Sequence, residues 1–350
     1  MNFASDNAGP MHPAILDALV RANDGHQMPY GTDTIMDGVR TKLREVFEAP
    51  DAAVYLVSTG TAANALALAS MAKPWDAIFC HRDAHVEEDE CGAPEFYTNG
   101  AKLALIEGRD GKMDPDALRA RMAVTGDKGV HGVQHGPLTI TQATEVGTIY
   151  TLDEIRTLTS IAREFHSMTH LDGARFANAL VTLGCTPAQM TWEAGIDMVS
   201  FGGTKNGCGG VEAVIIFDPD YAWEFELRRK RGGHLFSKHR YLSSQMEGYL
   251  ADDLWLDLAK RANAAATRLA SGIREIDGAR LHHTPGANMI FADLPRAAHR
   301  RAMEAGAQYY LMPFQTRLDG PDDELITCRM VCDWSKTNKE IDAVLSLLRG

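Results

Sequence analysis

Short apolar runs that alternate with helical stretches are the feature that most restricts the folds open to this sequence. The helical stretches are amphipathic, as in Thr34–Glu48, where Val39 and Leu43 fall on one face. Strands separated by helices in this way predict a mostly parallel, layered α/β fold. The runs interpreted as strands are Val54–Val57, Asp76–Cys80, Ala101–Ile106, Leu138–Thr141, Ser167–Leu171 and Met198–Phe201.

A second, smaller unit follows the large one. From about Arg280 the pattern reads strand, helix, strand, and a helix at Lys339–Leu348 closes it. A chain of 350 residues is long enough for one large and one small domain. We therefore predict an N-terminal arm at residues 1–35, a large domain at 36–250 and a small α/β C-terminal domain at 251–350.

The charge and composition of the chain restrict the kinds of partner that it can bind. Lysine and arginine number 35 against 47 aspartates and glutamates, so the net charge is −12. This acidity argues against nucleic acid or an anionic membrane as partner. The start MNFASDNAGP lacks a basic segment followed by an apolar one, and no apolar run approaches the length of a membrane span. Six scattered cysteines without a CxxC pair fit reduced thiols, and we predict a cytoplasmic protein.

Lys205 follows the last apolar run of the large unit, within DMVSFGGTKNGCGG at 197–210. Two glycines allow a sharp turn before Thr204 and Lys205, which places them at the carboxyl end of a strand, where open α/β sheets bind ligands. A lysine amine shielded from water can form a Schiff base with an aldehyde. Taken alone, this stretch favours an ordinary solvated surface lysine at position 205.

The segment STGTAAN at 58–64 connects another predicted strand to a helix. Free amide groups and the helix dipole make such a helix start an anion site. Gly60 permits close approach of the backbone, and the hydroxyls of Ser58, Thr59 and Thr61 can add donors. The alternative is an ordinary helix N-cap. Because the segment is neither GxGxxG nor GxxxxGK[ST], nucleotide binding is a weak interpretation.

His81 and His85 follow the strand Asp76–Cys80, with a run of acids at 87–90 close behind. The acids are consecutive and the imidazoles lie in a predicted loop, so we predict no metal here. The acids are then a solvated helix start. The functional interpretation of His85 is a ring that stacks on a flat ligand or transfers protons near neutral pH.

HLDGAR at 170–175 ends a further strand. Asp172 there can pair with a ring nitrogen, and the guanidinium of Arg175 can bind a carboxylate with two parallel hydrogen bonds. The alternative is an Asp N-cap beside an exposed arginine.

An anion-binding turn, a histidine, an aspartate and a lysine thus each follow a separate predicted strand. Pyridoxal phosphate requires these groups for its phosphate, ring face, pyridine nitrogen and aldehyde. The convergence predicts this cofactor.

In these motifs the sequence resembles the threonine aldolase family of fold-type-I pyridoxal-phosphate enzymes, particularly phenylserine aldolases and low-specificity L-threonine aldolases. The similarity extends over nearly the whole chain and implies a seven-stranded, mostly parallel sheet between helices. The segments that carry it are SDN, PYGTD, STGTAANAL, AHVEEDECGAPEF, ITQATEVGTIYTLDE, HLDGARFANAL, SFGGTKNG and RRKRGGHLFSKHRYLSSQ.

The resemblance implies roles for individual residues. Lys205 is implied to be the Schiff-base lysine, Asp172 the partner of the pyridine nitrogen and His85 the residue that stacks on the ring. The other implied cofactor contacts are Ser58, Gly60, Thr61, Gln142, Arg175 and Thr204. Those implied for the substrate are Ser5, Tyr30, Arg175 and Arg329.

The resemblance has departures. Gln142 stands where an acidic residue is usual near the cofactor. The loop that contains His131 and His135 does not align, so either or neither can contact the substrate hydroxyl. Arg329 lies among apolar residues of a predicted strand and needs a partner, which is a substrate carboxylate or an acid of the protein itself.

The function implied is cleavage of the Cα–Cβ bond of L-β-hydroxy amino acids such as threonine, allo-threonine and phenylserine, with His85 as the candidate base. Two alternatives remain open. One is another fold-type-I reaction, such as transamination or β-elimination, and the other is a cofactor-free binding protein with a Rossmann-like sheet. The family also implies a homodimer or homotetramer, in which Tyr30 and the N-terminal arm can serve a neighbouring subunit's site.

Overall fold

The computed structural model describes residues 1–350 and contains a seven-stranded sheet as its largest element. Its order is β1-β7-β6-β5-β4-β2-β3, and β7 is antiparallel to both neighbours while the other pairs are parallel. The predicted mostly parallel seven-stranded sheet is therefore confirmed. The strands are β1 Ala53–Val57, β2 Asp76–His81, β3 Lys102–Ile106, β4 Gln134–Thr141, β5 Thr169–Gly173, β6 Met198–Gly202 and β7 Glu212–Ile216.

Eleven α-helices accompany this sheet. Many carry a polar N-cap, such as Asp33, whose side chain accepts from the Met36 amide. The helices are α1 Pro13–Ala22, α2 Thr34–Val46, α3 Gly60–Met71, α4 His85–Glu88, α5 Ala93–Tyr97, α6 Pro115–Ala123, α7 Leu152–Glu164, α8 Phe176–Leu183, α9 Pro187–Met190, α10 Ala222–Arg231 and α11 Arg240–Leu250.

Helix α3 lies against the sheet along most of its length. It consists mainly of alanine and other small residues, with two leucines, and its residues 62–70 are all buried. Small side chains let its backbone approach the strands closely. Its amino end therefore meets the carboxyl edge of the parallel strands.

The second sheet has four antiparallel strands in the order β10-β11-β9-β8. A smaller α/β unit in the C-terminal part is thus confirmed, with two short strands, β8 and β10, that the sequence did not indicate. The domain borders at 35 and 250 stay predictions. The elements are β8 Arg280–Leu281, β9 Met289–Pro295, β10 Tyr310–Met312 and β11 Leu325–Val331, with helices α12 Leu254–Arg274, α13 Arg296–Glu304 and α14 Asn338–Arg349.

The first residues of the chain join the small sheet. Phe3 is fully buried in its core, and the Val331 amide donates to the Phe3 carbonyl over 2.8 Å. Residues 6–8 then form a short 3-10 turn that contacts the turn at Thr204–Asn206. The arm thus connects the small sheet to the edge of the large one.

No helix combines the length and the apolar character that crossing a lipid bilayer requires.

Candidate active site

A cleft of about 260 Å³ lies at the carboxyl edge of the parallel strands. Four of the segments that line it follow strands that run in the same direction, and they meet because the carboxyl ends of such strands share one edge of the sheet. The structure brings together seven of the residues predicted for the cofactor, namely Ser58, Gly60, Thr61, His85, Asp172, Thr204 and Lys205.

Larger surface cavities lie elsewhere, and two of these have volumes of about 570 Å³ and about 690 Å³. Charged side chains in their walls pair with one another, as Lys112 does with Glu154 and Arg268 with Asp342. The smaller cleft is the better candidate because an amine, a carboxylate, an imidazole and a helix start converge in it.

The start of helix α3 forms one wall of the cleft. The side chain of Thr59 caps the helix by accepting from the Ala62 amide over 3.2 Å, and the Thr59 carbonyl accepts from Ala63. The backbone amides of Gly60 and Thr61 are available to a ligand, because the first amides of a helix have no partner within it. This wall can bind an anion.

Asp172 and His85 belong to one buried hydrogen-bond network. The side-chain amide of Asn64 donates to Asp172 over 3.0 Å and to Glu90 over 2.8 Å. His85 Nδ1 lies 2.8 Å from the same Glu90 oxygen, and the Ala174 amide donates to Asp172. Asn64 and Glu90 thereby fix the positions of the two predicted groups.

The network changes the proton affinity of its members. Burial by itself would lower the pKa of His85, but the hydrogen bond to Glu90 and the charge of Asp172 together raise it. Burial, aided by the charge of Asp172, raises the pKa of Glu90.

The carboxylates also raise the question of a metal. One ligand atom each from His85, Glu90 and Asp172 lies within 4.8 Å of the others. The amide of Asn64 already donates to both carboxylates, and a donor at that place opposes a cation. That the site binds no metal stays a prediction.

Lys205 lies in a 3-10 turn at Thr204–Asn206, directly after β6. The turn is anchored by Asn206, whose amide donates to the Tyr249 hydroxyl over 2.7 Å and to the Trp255 carbonyl over 2.8 Å. The Thr204 hydroxyl accepts from the Val211 amide over 3.1 Å. Rigid anchoring on both sides holds the amine at the cleft.

Glu212 is a residue of this wall that the sequence reasoning missed. It is buried, and its Oε2 accepts from the Gly203 amide over 2.8 Å. Burial raises its pKa to about 7, against the opposing effects of Thr204, Gly203 and Lys205. The other unpredicted residues of the cleft are Asn7, Asn64 and Ala174.

Arg175 binds a carboxylate in the predicted two-bond geometry, and the carboxylate is the protein's own. Its Nε and Nη2 donate to Asp6 over 2.7 Å and 2.9 Å, with both side chains buried. Burial disfavours both charges, but their attraction raises the pKa of Arg175 and lowers that of Asp6. Asn288 also donates to Asp6. Sequence reasoning named Arg175 without this partner.

Arg329 differs from Arg175 in having no carboxylate at ion-pair distance. Its contacts are the Ala4 carbonyl at 3.3 Å and the Met289 sulfur at 3.7 Å. Burial and the charge of Arg175 lower its pKa. The sequence left two partners open for Arg329, a substrate carboxylate and an acid of the protein itself. The structure places no acid of the protein within ion-pair distance of it.

Like Arg175 and Arg329, three further predicted residues lie outside the cleft wall. Ser5 caps the turn at residues 6–8 by accepting from the Asn7 amide. Tyr30 is exposed, with the Lys230 amine 4.8 Å from its ring centre. Gln142 is fully buried, and both polar atoms of its side chain bond the backbone of Tyr150.

The two loop histidines lie at the other end of the sheet. His131 belongs to a short turn before β4, and His135 is the second residue of that strand. The His135 ring stacks on Phe165 and bonds the Met122 carbonyl. The cleft instead adjoins the carboxyl end of β4, so within one chain neither histidine reaches it.

Comparison with known proteins agrees with this geometry. The family model described as beta-eliminating lyase matches residues 2–295. A low specificity L-threonine aldolase from Pseudomonas aeruginosa is 40% identical over 308 residues, which cover 88% of each chain.

Solved structures agree as well. A threonine aldolase from Leishmania major superposes with a TM-score of 0.90 at 28% identity, covering 99% of this chain and 98% of that one. A serine palmitoyltransferase from Sphingomonas wittichii shares the fold alone, with a TM-score of 0.71 at 14% identity over 100% of this chain and 86% of that one.

The fold is that of the fold-type-I pyridoxal-phosphate enzymes, and the chain belongs to the beta-eliminating lyase family. Within that family it is a member of the threonine aldolases, as the resemblance of its motifs predicted.

Proposed function

We propose that this protein is a pyridoxal-phosphate-dependent aldolase that cleaves L-β-hydroxy amino acids to glycine and an aldehyde. The proposed substrates are threonine, allo-threonine and phenylserine. The observation that carries the proposal is the meeting of Lys205 and the buried Asp172 in one cleft beneath a helix start. The 40% identity to a low specificity L-threonine aldolase supports the reaction type.

The residues of the cleft fit the cofactor. The amides of Gly60 and Thr61, with the hydroxyls of Ser58 and Thr204, would hold the phosphate. The amine of Lys205 would bond the aldehyde carbon, and Asp172 would pair with the ring nitrogen. When bound, the cofactor supplies a ring that accepts the electrons of the broken Cα–Cβ bond.

The carboxyl group of Asp172 is fixed by two hydrogen bonds, since it accepts from the side-chain amide of Asn64 and from the Ala174 amide. Held in this place, Asp172 would pair with the ring nitrogen and keep a proton on it.

His85 is the proposed base. Its Nδ1 is engaged by Glu90, which leaves Nε2 to accept the proton of the substrate hydroxyl. Glu90 orients the ring and stabilises the charge that the imidazole gains.

The substrate carboxylate is assigned to Arg329. This guanidinium is partly buried without an acidic partner, whereas Asp6 already occupies Arg175. Arg175, whose charge is balanced by Asp6, would then not bind the substrate carboxylate directly.

A homo-oligomer is part of the proposal. Trp223, Leu227 and Lys230 follow at helical spacing on α10, and the two apolar side chains are exposed. Exposed Tyr30 lies against Lys230 and extends this patch. An apolar patch of this kind marks a protein contact. Ser5, Gln142 and Tyr30 remain proposed site residues of the assembled enzyme.

A cytoplasmic location is also proposed. The six cysteines are all free, which fits a reducing compartment.

Replacing Lys205 with alanine tests the function. We expect the visible absorbance band of the lysine-bound cofactor to disappear, because no other amine of the cleft can replace it. The measurement is the spectrum after adding pyridoxal phosphate, with Lys260→Ala, which changes an exposed lysine of helix α12, as the control that keeps the band. Glycine release from L-threonine, L-allo-threonine and phenylserine is then assayed in the wild type. A keto acid as main product, or a wild type that stays colourless, would overturn the proposal.

A further inference from the structure

Glu212 is an acidic side chain in the wall of the cleft to which the proposed mechanism gives no role. It is only 6% exposed, and one carboxyl oxygen accepts from the Gly203 amide. A buried carboxyl group is costly unless it is paired or protonated. Its presence beside Lys205 therefore needs a physical reason.

The topology explains how Glu212 reaches this place. Strand β7 is antiparallel to its neighbours, so its first residue lies at the edge where they end. Glu212 pairs with Val57 of β1 on one side and with Gly202 of β6 on the other. Neighbouring strands are about 4.8 Å apart. Glu212 thus lies between the phosphate-binding turn at residues 58–61 and the turn that carries Lys205.

The charges around Glu212 are few. Lys205, Asp172 and His85 share the cleft with it, while Cys208 and Tyr249 lie close by and are fully buried or nearly so. Lys205 is the cation that opposes the effect of burial on the pKa of Glu212. With burial raising the pKa of Glu212 to about 7, the carboxyl group changes its charge near neutral pH.

An anion bound at residues 58–61 alters this balance. A phosphate monoester carries about −1.5 to −2 charges at neutral pH. Two like charges in one partly buried site cannot both remain ionised without cost, and the weaker acid retains its proton. Glu212 is that weaker acid.

We propose that Glu212 is a cofactor-binding residue that takes up one proton from solvent when the phosphate group binds and then donates a hydrogen bond to it. The inference rests on the proposed function, since it concerns that cofactor. It predicts that phosphate-group binding weakens as the pH rises, by up to about tenfold per pH unit above the pKa of Glu212.

The test measures proton uptake on binding, not turnover. Inorganic phosphate and, separately, pyridoxal phosphate are titrated calorimetrically into cofactor-free protein at about pH 8, in buffers of different ionisation enthalpy. We expect the wild type to take up about one proton more than Glu212→Gln. The amide of glutamine is neutral and still accepts from Gly203, so this variant should bind phosphate more tightly than the wild type at high pH and equally at low pH.

Glu212→Asp keeps the titrating group and should retain the proton uptake, which guards against a folding defect in the first variant. Pyridoxal, which lacks the phosphate, should bind both proteins with the same pH dependence. Equal proton uptake in the wild type and Glu212→Gln, or an equal effect on pyridoxal, would overturn the inference. A wild type without a cofactor band would instead overturn the proposed function.

Discussion

Asn64 is the residue that makes the two acidic groups of the site compatible. Asp172 and Glu90 would repel each other if both were ionised, and the amide of Asn64 donates to one oxygen of each. Glu90 in turn bonds His85. One amide thus links the residue assigned to the ring nitrogen with the residue assigned to the substrate proton.

Glu90→Gln tests the hydrogen bond between Glu90 and His85, because it replaces one carboxylate oxygen with an amide nitrogen. Without the carboxylate, burial dominates and the pKa of His85 falls. The acidic limb of the kcat/KM profile should then move to lower pH, because His85 stays neutral, and able to accept a proton, down to a lower pH. Loss of a charged hydrogen bond should also lower kcat by roughly tenfold.

The matched control is Glu88→Gln, which removes an exposed acid of the same segment and should leave the profile unchanged. An acidic limb at the wild-type pH in Glu90→Gln would show that Glu90 does not set the proton affinity of His85.

Residues that directly follow parallel strands were predictable from sequence. Lys205, Asp172, His85 and Gly60 all come after short apolar runs, and such strand ends share one edge. Asn64 lies inside a helix among alanines, where nothing in the local pattern marks it. The partnership of Arg175 with Asp6 spans 169 residues, and no local signal reports a contact over that separation.

At the scale of elements, the same limit explains why Glu212 was missed. Strand β7 runs against its neighbours, so its site residue is the first of the strand and not the one after its end. Rules based on strand ends overlook it. His85 also differs from expectation, because it starts a short helix where a loop was expected.

The small sheet has its own electrostatic anchor. Asp293 of β9 accepts from Arg280 of β8 over 2.7 Å, from Thr327 of β11 over 2.6 Å, and lies 2.7 Å from His282. Burial opposes its charge, but these partners lower its pKa to about 2. One carboxylate therefore joins three adjacent strands.

Asp293→Asn should destabilise the protein at neutral pH. The pKa shift corresponds to at most about 2.5 kcal/mol, and screening of exposed Arg280 reduces this to about 1 kcal/mol. Because the folded-state pKa is lowered, the stabilisation is present above about pH 4 and is lost as the pH falls toward 2. Denaturant unfolding from pH 7 downward measures it.

Asp342→Asn provides the comparison for that measurement, since its pair with Arg268 is exposed and worth little. The free energies of unfolding of Asp293→Asn and of the wild type should approach each other as the pH falls. A difference between them that stays constant down to low pH would contradict the role assigned to Asp293.

For the whole molecule, the exposed apolar face of helix α10 predicts self-association. Leu227→Glu places a charge in this face and should shift the protein toward monomers, because burying an unpaired carboxylate in a contact is costly. The mass in solution, measured by light scattering after size-exclusion chromatography, reports the change.

Val124→Glu is the control, as this residue is equally exposed but follows helix α6, which packs on α7 and β3. A Leu227→Glu protein that keeps the wild-type mass would remove α10 from the contact.

The arm at residues 1–9 gives the enzyme an uneven resistance to heat and storage. Phe3 is secured in the small core, yet Asp6, three residues later, is what neutralises Arg175 at the edge of the large sheet. We expect loosening of these few residues to remove the carboxylate that pairs with Arg175 while the strand pairs of both sheets remain. An ageing sample should therefore lose turnover well before its circular dichroism changes, and the first sign of damage is functional.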